Sequence, residues 1–287
     1  MAVSPDLWPA LALTFGLFLA VGFFAQLVDG AVGMAYGVIS STVLLFFGVA
    51  PAQTSAAVHV AKCFTNGASG ISHLVHKNVD WRLLARLAPA GVVGGVVGAY
   101  LLTGFDPTFV KAIIVAYLAV IGFVMLLRAV RNLADTPPHL EHVIPLGLVG
   151  GFLDASVGGG WGPIVTSTLL GRGHAPRYVI GSVNTAEFFV AVAISAAFLW
   201  TIATGRFNLG AGTEWANAVA AISGLILGGL VAAPLAGYVT KIAPARFLLG
   251  AAAFLVIALS IFQGVQLWPH LLDEPIVQRF NDALAPR

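Results

Sequence analysis

The chain predicts an all-α polytopic membrane protein made of two homologous repeats, each opening with a glycine-broken hairpin or re-entrant helix. Three observations predict it: the scarcity of charge, a row of membrane-length apolar runs, and a long internal self-match. Of 287 residues, 59% are hydrophobic and 9% charged, where soluble domains carry about 25% charged residues. So few charges cannot cover the surface of a soluble protein this size. Glycine is abundant at 33 residues, as suits helices packed closely in lipid. The net charge of +2 comes without a basic run, which argues against a nucleic-acid partner. The one cysteine, Cys63, excludes an intrachain disulfide and a cysteine-rich metal site.

The first apolar run extends from about Pro9 to Val49, long enough for two crossings at about 20 residues each. No basic flank precedes it, and it is about twice as long as a signal core, so a retained membrane segment is expected. Pro51 to His73 follows, polar in places yet of membrane length. Then come Leu83 to Thr103 and Phe109 to Leu127. The second half repeats the order with Val143 to Leu170, Pro176 to Thr204, Trp215 to Val239 and Phe247 to Leu267. The expected organisation is a first repeat over 1–127, a polar linker over 128–142 containing Pro137-Pro138, a second repeat over 143–267 and a tail over 268–287.

Displacing the chain by 125 positions aligns Asp29 with Asp154 and runs without a gap to Phe64 and Phe189. Thirteen of those 36 positions are identical, among them Gly33/Gly158, Gly37/Gly162, Pro51/Pro176 and Val58/Val183. Chance similarity between apolar segments does not hold Asp and Pro in one register, so the match reads as duplication.

Loop charge then bears on orientation. If each opening run is a hairpin, Lys77, Arg82, Arg86, Arg128, Arg131, Arg172, Arg177, Lys241 and Arg246 share one face. Lys111, Arg206, Arg279 and Arg287 share the other, a split of nine to four. Single crossings split the same residues eight to five. The positive-inside rule therefore favours inverted repeats with both termini outside the cytoplasm.

Each repeat carries a glycine-rich interruption, Gly33-Met34-Ala35-Tyr36-Gly37 and Gly158-Gly159-Gly160-Trp161-Gly162-Pro163. Adjacent glycines and a proline weaken a helix, and unwound backbone in a membrane must be buried or line a watery cavity. Paired interruptions in two halves point to a transporter's binding site. The free amides and dipole of a broken helix suit an anion. Close helix packing is the plainer explanation of the same glycines.

Four ionisable residues stand inside apolar runs, where each is costly if isolated. Asp29 and Asp154 precede the two interruptions, either as proton carriers or as caps on the short helix that follows. Lys62 and Glu187 occupy one place in the repeat, and His59 and Asn184 lie one turn before them on the same helix face. A two-fold arrangement would bring Lys62 and Glu187 together, to neutralise each other or to handle an anion and a proton. No Walker loop, nucleophile elbow or HExxH sequence is present, and no cofactor or metal is expected. Paired aspartates serve intramembrane proteases, but the sequence contexts expected there are missing around Asp29 and Asp154.

The chain resembles the sulfite exporter TauE/SafE family of membrane permeases. The resemblance rests on Gly22 to Gly37 and Gly147 to Pro163, on Pro51-Ala52-Gln53-Thr54-Ser55-Ala56, on Asn78-Val79-Asp80-Trp81-Arg82 and on Gly91 to Gly98. The family's first break is typically a G-x-G-G-G pattern, and Gly33 to Gly37 departs from it. The resemblance implies movement of sulfite or organosulfonates across a prokaryotic cytoplasmic membrane, most commonly as export. The expected partners are the bilayer, a small sulfur-containing anion, protons and a second copy of the chain. Residues expected to bind the anion are Gly33, Tyr36, Gly37, His59, Lys62, Gly158, Gly159, Gly160, Trp161, Gly162 and Asn184. Asp29, Asp154 and Glu187 are expected to couple protons or to serve structure. A passive anion channel and an importer of another small anion are the alternatives.

Overall fold

The computed structural model describes residues 8–105, 107–130, 142–171, 176–208, 213–242 and 245–272. The described residues form helices and short connections. In the first half these are α1 (Trp8–Val32), α2 (Tyr36–Phe46), α3 (Pro51–Val75), α4 (Trp81–Leu102) and α5 (Pro107–Val130). The second half runs α6 (Val143–Val157), a π-helical turn (Gly162–Thr166) continuous with α7 (Ser167–Gly171), α8 (Pro176–Ala203), α9 (Thr213–Ile242) and α10 (Ala245–Leu272). Among the described residues, six helices contain stretches long and apolar enough to cross a membrane: α1, α4, α5, α8, α9 and α10. The protein is thus an all-helical, multi-pass membrane protein.

The elements begin where local chemistry puts them. Pro51 opens α3 at a first-turn position, where its missing N–H would have had no helical partner. Asp80 caps α4, its carboxylate accepting from the amides of Arg82 and Leu83. Outward-facing positions stay apolar, as lipid requires, with Val93, Val120, Leu199 and Phe254 all exposed.

The first run does not make two crossings. At 1.5 Å per residue, α2 covers about 16 Å, roughly half of a hydrocarbon layer about 30 Å thick. It returns along α1, because the rings of Phe18 and Phe47 lie 6.1 Å apart. Had α2 continued the line of α1, those rings would be separated by about 40 Å. The second half turns back too, since a Cβ on Gly150 would run into the side chain of Val165. Both opening segments are therefore hairpins.

Helix α5 runs to Val130 and α10 to Leu272. The linker from 131 to 141 and the tail beyond 272 lie outside the described residues.

Packing between the halves is reciprocal. Helix α1 lies on α9 and α6 on α4, while α3 packs on α8 and α5 on α10. The first two contacts are backbone-close: a Cβ on Gly94 would meet the Leu148 carbonyl, and one on Gly228 the Leu19 carbonyl. Two apolar cores result, one around Leu44, Leu118 and Val256 and the other around Leu87, Trp161 and Ile194. The hairpin tips lie between them.

Candidate functional site

The two hairpins turn alike. Gly33 and Gly158 hold φ of 73° and 74°, a left-handed backbone that other residues adopt only at a cost. The amide of Gly33 donates to the Asp29 carbonyl, and that of Gly158 to the Asp154 carbonyl. Three residues further on, each chain re-enters a helix whose first amides need acceptors. Asp29 Oδ1 accepts from the amides of Ala35 and Tyr36 at 2.7 and 3.2 Å. Asp154 Oδ1 accepts from those of Gly160 and Trp161 at 2.9 and 3.1 Å. The first break thus keeps the geometry of the second despite having fewer glycines. Pro163 opens the π-helical turn and does not interrupt it.

The tips meet. Backbone at Gly37 lies against Gly158 and Gly159 so closely that a Cβ on Gly37 or Gly159 would overlap the opposite chain. Thr166 donates to the Gly33 carbonyl at 2.9 Å. The aromatic residues beside the tips face away from the cavity and anchor it. Tyr36 donates to the Leu225 carbonyl at 2.9 Å, and Trp161 Nε1 to the Val183 carbonyl at 3.2 Å.

Helices α3 and α8 bring charge to this junction. Lys62 Nζ stands 2.7 Å from Glu187 Oε1 and donates to both Asp154 oxygens at 2.8 and 3.0 Å. His59 Nε2 lies 3.0 Å from Asp154 Oδ2, and its Nδ1 lies 2.7 Å from the Ser55 carbonyl. Lys62 is 2% exposed and Asp154 fully buried, so neither can turn to water for its ion pairing. Asp29, Lys62, Glu187, Gly37, Gly159, Gly162 and neighbouring backbone line a cavity of about 10 Å³.

The expected residues therefore divide. Asp29, Lys62, Glu187, Gly37, Gly159 and Gly162 line the cavity, while His59 and Asp154 support Lys62 from beside it. Asn184 does not copy His59: its Nδ2 donates to Ser69 Oγ at 3.3 Å. Sequence equivalence also left out the bond from Lys62 to Asp154, which needs α3 placed against α6. Ser55, which hydrogen-bonds the Ala155 carbonyl, and the buried Ser41, Ser260 and Gln263 were missed as well. Gln263 had a signal, an amide inside the apolar run of α10.

Membrane-length helices that hold two polar hairpins tip to tip around buried charge are the architecture of a membrane transporter. The comparisons with known proteins agree and go further. The chain belongs to the sulfite exporter TauE/SafE family, whose profile matches residues 18–262. It is 40% identical over 235 residues to the probable membrane transporter protein YtnM of Bacillus subtilis (strain 168), a match covering 78% of this chain and 74% of that protein. No solved structure matches the chain.

Proposed function

We propose that this protein exports small sulfur-containing anions, sulfite or organosulfonates, across a prokaryotic cytoplasmic membrane by alternating access, with a proton handled at the same centre. The observation that carries the proposal is Lys62, held between Asp154 and Glu187 where the hairpin tips meet. An anion that reaches Lys62 must displace one of the two carboxylates. Asp154 is anchored by two backbone amides and by His59, so Glu187 is the group that gives way. A displaced carboxylate in a water-poor cavity is costly to leave charged and unpaired, and a proton on Glu187 removes that cost. Anion and proton therefore bind together. A cavity of about 10 Å³ holds about one water, so the centre must open before an anion can enter.

The hairpins favour one membrane arrangement. If α1–α2 and α6–α7 return to the face they entered from, α3, α4 and α5 and then α8, α9 and α10 make three crossings per half, with the more polar α3 crossing by its 25-residue length and the apolar α1 staying with its hairpin, and the halves are inverted repeats. The nine-residue basic face is then cytoplasmic and both termini lie outside.

The test is flux of sulfite and organosulfonates in proteoliposomes of known orientation. Wild-type protein moves the anion and responds to a pH gradient. Lys62→Met abolishes flux while the protein still purifies as a folded species. Undiminished flux in Lys62→Met removes the lysine from the mechanism, and indifference to the pH gradient removes the proton.

A further inference from the structure

Away from the charge cluster, a second group of buried polar atoms has no contact to explain it. The hydroxyls of Ser40, Ser41 and Ser260 and the side-chain oxygen of Gln263 lack a hydrogen-bond partner, though each residue is at most 2% exposed. Leaving such atoms unsatisfied costs about 1–3 kcal/mol apiece, so four together call for a reason. Three of them, on Ser41, Ser260 and Gln263, follow one seam. The Ser41 hydroxyl lies against Gly158 at the tip of the second hairpin, where a Cβ would overlap it. Next along α2, the Thr42 carbonyl accepts from Gln263 Nε2 of α10 at 3.4 Å. Ser260 lies one turn before Gln263 on the same buried face of α10. At the outer end of α2 the rings of Phe46 and Phe262 stand 5.3 Å apart.

The other hairpin has the same layout with its polar groups satisfied. Thr166, which matches Ser41, donates to the Gly33 carbonyl. Ser167, which matches Thr42, donates to the Pro163 carbonyl. The side chain reaching the Ser167 carbonyl is Arg128, at 3.3 Å. Between the two returning helices, the idle hydroxyls are thus on α2.

We infer that the anion passes between the central cavity and the face where α2 ends along the α2–α10 seam. It moves over Ser41, Ser260 and Gln263, and Phe46 and Phe262 close the outer end. This rests on the transport reading above. Neutral hydroxyl and amide donors replace water around an oxyanion without the grip of a full charge, so the ion can enter and still leave.

Cysteine accessibility tests the path, starting from Cys63→Ala to clear the native thiol. Ser260→Cys and Gln263→Cys are compared with Val265→Cys, 69% exposed on the outer surface of α10, in proteoliposomes treated with a charged methanethiosulfonate. The two seam positions should react on the order of tenfold faster than the lipid-facing one, which has no water to ionise its thiol. Sulfite should slow that reaction, modification should stop flux, and Phe46→Ala should speed labelling. Seam thiols that react no faster than Val265→Cys, or that ignore sulfite in variants still carrying flux, overturn the path. Fast seam labelling in a Cys63→Ala protein that carries no sulfite flux supports an aqueous path and counts against the transport reading instead.

Discussion

Asp154 and Asp29 stand at the same point of the two hairpins and cap equivalent amides, yet their second oxygens have different surroundings. Asp154 Oδ2 accepts from Lys62 and meets His59. Asp29 Oδ2 has no partner and borders the cavity that Glu187 also lines. The difference comes from the facing helix: α3 offers His59 and Lys62 where α8 offers Asn184 and Glu187. Near-identical backbone thus supports a saturated site on one side and an unsaturated one on the other. The saturated side holds Lys62 in place, and the unsaturated side has the capacity to change.

The comparison breaks most decisively at Asp154. Asp154→Asn removes one of the two carboxylates paired with Lys62 and leaves Glu187 as its charged partner, and weakening hydrogen bonds to a buried charge costs about 1.5–3 kcal/mol. Thermal unfolding in detergent should show a large drop in midpoint, and an unchanged midpoint would mean that Lys62 does not depend on Asp154. Gly158→Ala should follow at about 1–2 kcal/mol for the left-handed backbone alone, with overlap on Ser41 added. A Cβ on Gly33 would stand 3.1 Å from its nearest neighbour, Ile180, without the overlap found at Gly158, so Gly33→Ala should be the milder of the two in the same assay. Equal losses would show that the tips tolerate crowding alike.

Asp29→Asn keeps an oxygen to cap Ala35 and Tyr36 and should cost about 1 kcal/mol or less. Its signature should be kinetic, a changed response of flux to a pH gradient with the melting point nearly kept. Asn184→Ala removes a buried side chain whose one hydrogen bond is the long contact to Ser69, and should cost about 0.5–1 kcal/mol. A larger loss would mean that Asn184 supports the cavity after all.

The sequence register was a good guide wherever equivalence was enough. A shift of 125 paired the aspartates, the glycines at positive φ, and Lys62 with Glu187, and all of these lie at or beside the hairpin tips. It could not show that Lys62 also reaches Asp154, because that depends on how α3 lies against α6 in space. Run length left Pro9 to Val49 open, because hydropathy does not distinguish a second crossing from an 11-residue helix that turns back. The seam was overlooked for a different reason. Ser41, Ser260 and Gln263 carry no charge, and a neutral hydroxyl in an apolar run reads as helix packing until its missing partner is seen.

The junction of the hairpin tips has one more consequence. Gly37, Gly158 and Gly159 meet through main-chain atoms that every residue possesses. The contact does not depend on side chains, whereas adding a single methyl at Gly37 or Gly159 forces the tips apart. This backbone contact is intolerant of growth. An alanine scan, which elsewhere measures what a side chain contributes, would at these positions measure the empty space that glycine keeps open.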